Sequence, residues 1–149
     1  MTNSSVPPRS LVAACHDLTA SEIDALEDRL YEFNRATTGL GDGQGLGFVV
    51  RDDTGSTIAA IAGTTWGGVC ELKQLWVHEH HRRRGLGTAL LSAAMREAQT
   101  RGCHQIFVAT YSFQAPAFYA RHGFERVAEI ADWPRGHRHC GRREWGLSP

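Results

Sequence analysis

The chain has 149 residues, 42% of them hydrophobic and 21% charged, which suits one domain with a real core and excludes a disordered tail protein. Lys plus Arg and Asp plus Glu both total 16, so the formal charge is zero; bulk attraction to phosphates is excluded as the way it holds a partner. Any anion must be held by a local site.

Met1–Arg9 is polar, contains Pro7 and Pro8, and has no apolar run of the kind a signal peptide needs, so it reads as a flexible arm. Ser10–Cys15 is short and apolar and is expected to be a first strand. Thr19 followed by Glu22 has the spacing of a capping box, and Leu18 and Ile23 stand where a hydrophobic staple would sit. Ile23, Leu26, Leu30 and Phe33 then recur at helical spacing and predict one buried stripe. Thr37–Gly47 carries five glycines (Gly39, Gly41, Gly43, Gly45, Gly47) and predicts a mobile loop.

Phe48–Val50 and Thr57–Gly63 flank the turn-forming run Asp52-Asp53-Thr54-Gly55 and read as a hairpin. After Gly67-Gly68 comes the strand Val69–Val77. Strict alternation puts Val69, Glu71, Lys73, Leu75 and Val77 on one face and Cys70, Leu72, Gln74 and Trp76 on the other. A long helix is expected over Leu86–Arg101, with Leu86, Leu90, Ala94 and Ala98 inward and Gly102 as its stop. Ile106–Ala109 reads as a short buried strand and Ala115–Arg121 as a short helix ending before Gly123. Phe124–Ile130 and Arg138–Trp145 close the chain as strands around a Pro134/Gly136 loop. The expectation is a single α/β domain over 10–149: a mixed sheet with helices on its faces.

The four cysteines, Cys15, Cys70, Cys103 and Cys140, form no Cys-x-x-Cys pair. No stretch approaches the roughly 20 apolar residues of a membrane span. A reduced, cytoplasmic setting without a membrane partner is the expectation.

The most informative segment runs from Val77 through His78, His80, His81, Arg82, Arg83, Arg84, Gly85, Leu86, Gly87 and Thr88. A strand enters an Arg/Gly-rich turn and a helix begins at once. Helix N-termini carry unpaired N–H groups and partial positive charge, so a pyrophosphate is stabilised there. Gly85 and Gly87 let the backbone approach phosphates, Thr88 adds a hydroxyl, and the arginines add charge. A Walker loop would need a Lys where Gly87 stands, and a dinucleotide fingerprint would need a third Gly where Leu90 stands.

Arg82-x-x-Gly85-x-Gly87 resembles the Arg/Gln-x-x-Gly-x-Gly/Ala signature of the GNAT family of N-acetyltransferases. Ala115-x-x-Phe118-Tyr119-x-x-x-Gly123-Phe124 resembles that family's second motif, in the right order and about thirty residues on. The resemblance covers roughly Leu46 to Trp145. It implies a mostly antiparallel mixed sheet with a splayed central strand pair, and acetyl-coenzyme A as co-substrate. It also implies direct transfer of the acetyl group to a primary amine, without an acyl-enzyme. Backbone groups of Leu75, Trp76 and Val77 would then pair with the pantetheine arm, and Arg82, Arg83, Arg84, Gly85, Leu86, Gly87 and Thr88 would hold the phosphates. Tyr119 would protonate the departing thiolate and also touch the cofactor. The family's usual Asn before that helix is missing here, which leaves its contact to Gln114 or Ser112.

Glu71 stands on the central strand and could accept the amine proton, directly or through water, or simply face solvent beside Lys73. The acceptor-binding parts implied by the resemblance are Tyr31–Gly47 and Ile130–Cys140, with Asn34, Trp66, Trp133 and His137 as candidate contacts. Asp24, Glu27, Asp28, Glu32 and Asp42 make the first helix and loop acidic, which suits a cationic small-molecule amine. His78, His80 and His81 with His137, His139 and Cys140 are the one conceivable metal set, but the first group belongs to the phosphate turn and no metal is expected. No second basic run accompanies Arg82–Arg84, so nucleic acid is not an expected partner. The alternatives are an acetyl-coenzyme A sensor without turnover and an acetyltransferase acting on a protein or aminoacyl-tRNA amine. Homodimers are common in the family, although nothing in this sequence signals one.

Overall fold

The computed structural model describes residues 12–145. The expected arm and the first two residues of the expected first strand lie outside that range; its remainder, 12–15, carries no strand. Residues up to Gly39 form one unit and residues from Leu40 a second.

The first unit is a helix, α1 (Ala20–Thr38), with the capping box the sequence predicts. The Thr19 hydroxyl accepts the Glu22 N–H at 3.2 Å, and the Glu22 carboxylate accepts the Thr19 N–H at 2.8 Å. The Thr19 N–H and, after it, the Thr19 hydroxyl donating to the same carboxylate hold the Glu22 carboxyl below its ordinary pKa. Thr37 and Thr38 are helical rather than loop, and their hydroxyls donate to the carbonyls of Phe33 and Asn34. Gly39 ends the helix at φ 75°. The stripe Ile23, Leu26, Leu30 and Phe33 is present, but α1 buries none of its residues.

The second unit is a six-stranded sheet in the order β1-β2-β3-β4-β6-β5. β1 (Gln44–Arg51) and β2 (Thr57–Trp66) form the expected hairpin. Its turn is held by the Asp52 carboxylate, which accepts from the N–H groups of Thr54 and Ser56 and from the Thr54 hydroxyl. β1 begins at Gln44, so the second half of the glycine-rich run is strand. Gly45 pairs with Thr64 and Gly47 with Ala62, and the sheet ladder overrides the weak strand preference of glycine.

β3 (Val69–Val77) pairs antiparallel with β2. A 3-10 turn over Glu79–His81 leads to α2 (Leu86–Thr100), which returns to β4 (Gln105–Tyr111), parallel to β3. α3 (Pro116–Arg121) follows, then β5 (Glu125–Ala131) and β6 (Arg138–Trp145), which pairs with both β4 and β5. Every neighbouring pair except β3 and β4 is antiparallel. α2 buries Leu90, Leu91, Ala94 and Ala98 and packs against β1, β2 and β3. Tyr119 and Phe124 complete the core. Cys70, Cys103 and Cys140 are buried, Cys15 is exposed, and all four are free thiols. Burial pushes the Cys70 thiol up to about 11. Among the described residues no helix is long and apolar enough to cross a membrane.

Strict alternation fails in β3. Ala62 faces Gln74 but Gly63 faces Leu72, so Lys73 is an extra residue without a partner, a β-bulge. Before it Cys70 and Leu72 point into the core; after it Leu75 and Val77 do, and Trp76 is turned outward. A bulge shifts the phase of every following side chain by one, which pattern reading cannot see. Gly63 makes this possible: a Cβ there would collide with the backbone carbonyl of Glu71 and lie 3.1 Å from the Leu72 Cα. Gly63→Ala therefore requires backbone movement, and its expected cost is at least about 1–3 kcal/mol, read as a lower midpoint in urea unfolding.

Candidate active site

The β3–β4 ladder ends at Leu72 and Val108. Beyond it β3 pairs only with β2, and β4 only with β6. The strands part, leaving one side of the Lys73–Val77 backbone without a strand partner. This is the splayed central pair that the resemblance implies. Between them opens a cleft of about 960 Å3, lined by the parted strands, the turn before α2, and α3. Its size is that of a small-molecule site.

At one end lies the Arg/Gly turn. The Arg82 Nε donates to the Val77 carbonyl at 3.1 Å, which folds the turn back onto the strand. Arg83 (φ 61°) and Gly85 (φ 78°) both take left-handed backbone. α2 starts directly after Gly85 with no side-chain cap, so its first N–H groups have no capping partner and open on the cleft. Gly87, in the first turn, lies beneath the Phe118 ring. A Cβ there would meet that ring at 3.6 Å, an ordinary contact, so packing within the chain does not require glycine at this position. What the missing Cβ leaves is room beside the uncapped N–H groups. Thr88 Oγ1 is in hydrogen-bond contact with His122 Nε2 at 3.3 Å, and Phe118 lies against the His122 ring at 4.8 Å.

Tyr119 lines the cleft while only 6% exposed, wedged edge-on between Phe118 and Phe124. Among the described residues its hydroxyl has no hydrogen-bond partner. Burial raises its pKa above the ordinary tyrosine value, so the phenol is protonated at neutral pH. Gln114 also lines the cleft, but its Oε1 accepts the Tyr111 N–H at 2.9 Å and the Thr110 hydroxyl at 3.3 Å, which leaves its amide nitrogen for a ligand. The Ser112 hydroxyl is occupied by the Arg138 N–H.

The cleft thus gathers Leu75, Trp76, Val77, Arg82, Arg83, Gly85, Leu86, Gly87, Thr88, Gln114 and Tyr119, whereas Arg84 lies outside its lining. Glu71 also lies outside it, exposed on the open face of β3 opposite Thr64 and Phe107, and no ion pair joins it to Lys73 among the described residues. Trp66 does not reach the cleft. It sits at the far end of the β2–β3 hairpin, about 26 Å along β3 from Val77 at ~3.3 Å per residue. There its indole donates to the Leu40 carbonyl, and it lines a separate cavity of about 230 Å3 with Arg101 and Cys103. Asn34 belongs to the α1 unit. Trp133 and His137 come together with three rings that sequence reading missed: Tyr111, Phe113 and His139. His122 was missed as well, although it lies inside the second motif; a histidine at a helix end carries no signal until its neighbours are known. Among the described residues no three His, Cys, Asp or Glu side chains converge as a metal-binding group.

Residues 11–124 match the profile of the acetyltransferase (GNAT) family. The chain belongs to the GNAT family. It is 30% identical over 112 residues to a curated acetyltransferase of Agrobacterium fabrum, covering 75% of this chain and 82% of that protein. It is 43% identical over 63 residues to the blasticidin-S acetyltransferase of Streptomyces morookaense, covering 42% of this chain and 46% of that protein. The crystal structure of an acetyltransferase from Bacillus cereus aligns with a TM-score of 0.73 at 26% identity, over 89% of this chain and 97% of that one. As a GNAT member the chain is an N-acetyltransferase, and the family's acetyl donor is acetyl-coenzyme A. The matched range contains the Arg/Gly turn and Tyr119 but stops before Trp133, His137 and His139.

The two glycines of the turn separate stability from binding. Gly85→Ala forces a side chain into left-handed backbone and is expected to cost about 1 kcal/mol. Gly87→Ala has space and replaces a helical glycine, so thermal unfolding should show stability unchanged or raised by up to ~1 kcal/mol. Calorimetric titration of that same variant should show acetyl-coenzyme A affinity lowered at least tenfold, because the Cβ takes up the room beside the N–H groups.

Proposed function

We propose that this chain transfers the acetyl group of acetyl-coenzyme A directly onto a primary amine of a small molecule. The observation that carries the reading is the uncapped start of α2 beside Gly87, opening onto the gap between β3 and β4. The chemistry of that corner fits the donor. Unpaired N–H groups, Arg82, Arg83 and the Thr88 hydroxyl suit a pyrophosphate. The free side of Leu75, Trp76 and Val77 suits an extended amide-bearing arm, which would add to the sheet as a strand does.

When bound, acetyl-coenzyme A supplies a thioester carbonyl carbon for attack by the amine nitrogen. The C–N bond forms as the C–S bond breaks, and the released thiolate needs one proton. Tyr119, buried, protonated and without another partner, is the group in this chain suited to give it. Glu71 is exposed and outside the lining, so it would receive the amine's proton through water rather than by contact. A small-molecule acceptor is supported by the named activity of the Streptomyces relative, which acetylates blasticidin S.

The direct test is calorimetric titration of acetyl-coenzyme A into the wild-type protein and into Arg82→Ala/Gly85→Ala/Gly87→Ala. Micromolar binding lost in the triple variant supports the turn as the phosphate site; no binding by the wild type sinks the proposal. Tyr119→Phe should lower kcat by ~10²-fold or more while leaving acetyl-coenzyme A affinity nearly unchanged. Its raised pKa means that loss of the acid falls above pH ~10, so the wild-type rate should show no decline from this group across the neutral range. For Glu71→Gln, kcat should fall while acetyl-coenzyme A affinity stays unchanged if Glu71 takes the amine's proton; an unaltered kcat clears Glu71.

A further inference from the structure

At the rim of the cleft, where β4 ends, five rings lie together. Tyr111 and Phe113 are parallel within 3°, with centroids 5.3 Å apart. Trp133 stands edge-on to Tyr111 at 6.1 Å. His139 lies 4.5 Å from the Tyr111 ring and 4.4 Å from Trp133. His137 meets Phe113 edge-on at 4.9 Å. Phe113 is the link to the cleft, since it lines it.

Two of these rings are large, apolar and uncovered: Phe113 is 56% exposed and Trp133 45%. Leaving such area in water is unfavourable, and exposed aromatics that each pack on Tyr111 at a cleft mouth mark a binding surface. The rings are also held in place. The Ser112 N–H donates to the Arg138 carbonyl at 2.8 Å and the Arg138 N–H donates back to the Ser112 hydroxyl at 3.1 Å, clamping the turn after β4 to the start of β6. On the other side the Asp132 carboxylate accepts the Gly136 N–H, and the His137 N–H donates to the Pro134 carbonyl.

Charge narrows the ligand. Glu129, on the adjoining β5, is engaged by Arg126 at 2.7 Å and faces Arg138 at 3.8 Å. Asp132 is spent on its own turn. The remaining charged side chain of the turn, Arg135, is exposed and positive. A polycationic acceptor would gain cation–π contact from these faces, but the carboxylates of Glu129 and Asp132 are already engaged and Arg135 would repel it. A flat ring could lie against the exposed Phe113 face, with the His137 imidazole beside it to exchange hydrogen bonds with ring heteroatoms. Trp133, His137 and His139 lie beyond the residues shared with the family profile, where features particular to this chain are to be sought.

We infer that the acceptor amine of this enzyme is carried on an aromatic or heteroaromatic ring that stacks on the exposed Phe113 face at the cleft mouth, with Trp133 standing edge-on beyond Tyr111. This rests on the acetyl-transfer reading of the cleft. Such an acceptor carries one amine on a flat ring, where the acidic first helix alone would suit a more highly charged one.

The test compares 2-phenylethylamine with 2-cyclohexylethylamine, which place the same amine at the same reach on an aromatic and a saturated ring, with spermidine as a third probe. Thioester consumption is followed for each, and acetyl-coenzyme A binding is measured separately by calorimetry. The expected result is a kcat/KM about tenfold higher for the aromatic amine than for either other probe. In Trp133→Leu and in Phe113→Leu that advantage should disappear, mainly through KM, with acetyl-coenzyme A still bound. If a variant fails to fold, the three-substrate comparison on the wild type decides alone. Equal use of the two rings, preference for spermidine, or turnover of none of them, with acetyl-coenzyme A bound, overturns the ring preference and leaves the donor site standing. Failure to bind acetyl-coenzyme A overturns the underlying reading as well.

Discussion

Two backbones approaching too closely for a side chain set up the whole functional half of this molecule. With no Cβ on Gly63, the Glu71 carbonyl can lie where one would stand, and β3 can carry the extra residue Lys73. A bulge bends its strand and increases its twist. The ladder to β4 ends at Leu72, one residue before the bulge, so bend and parting coincide. From that point the phase of the side chains changes, Leu75 and Val77 pack inward, and one side of the backbone is left for something other than a strand. The Arg/Gly turn and the uncapped helix would have little to act on if β3 continued straight beside β4.

Much of this was legible from residue order. The bounds of β3 and β6 were read correctly, the capping box at Thr19 and Glu22 is present, and the strand–turn–helix around Gly85 and Gly87 stands where the motif put it. These signals are local: caps, turns and periodicity are written within a few residues. The errors have a different origin. The second half of the glycine run became strand because Thr64 and Ala62, some twenty residues on, supply the pairing. The alternation in β3 failed because a partner strand, not β3 itself, carries the glycine that permits the bulge. Trp66 is a candidate acceptor contact on sequence grounds, yet topology puts it at the other end of the hairpin. The ring cluster escaped notice because its members come from two segments about twenty residues apart, and no spacing rule joins them.

The cleft is therefore of two kinds. Its side at the start of α2, the proposed donor site, is built from main-chain groups, small residues and short motifs, where the backbone itself would be the binding surface. Phe113 and Gln114, on the turn after β4, line its other side, and the rings of the β5–β6 connection adjoin Phe113 and Tyr111 on a frame of bonds between Ser112 and Arg138 and within the Asp132–Gly136 turn. Ring identity can vary on such a frame without disturbing the sheet. One donor chemistry can in this way be paired with different acceptors.

The placement of the cysteines bears on how turnover is best watched. Acetyl transfer liberates a thiol, and chromogenic disulfide reagents report thiols as they form. Three of the protein's own thiols are shielded in the core, and that of Cys70 is further silenced by its raised pKa, since thiolate is the reactive form. Cys15 alone is open to solvent. The native enzyme should thus consume a single equivalent of reagent at the start and then fall quiet, and a serine at position 15 would give a blank baseline for continuous assay.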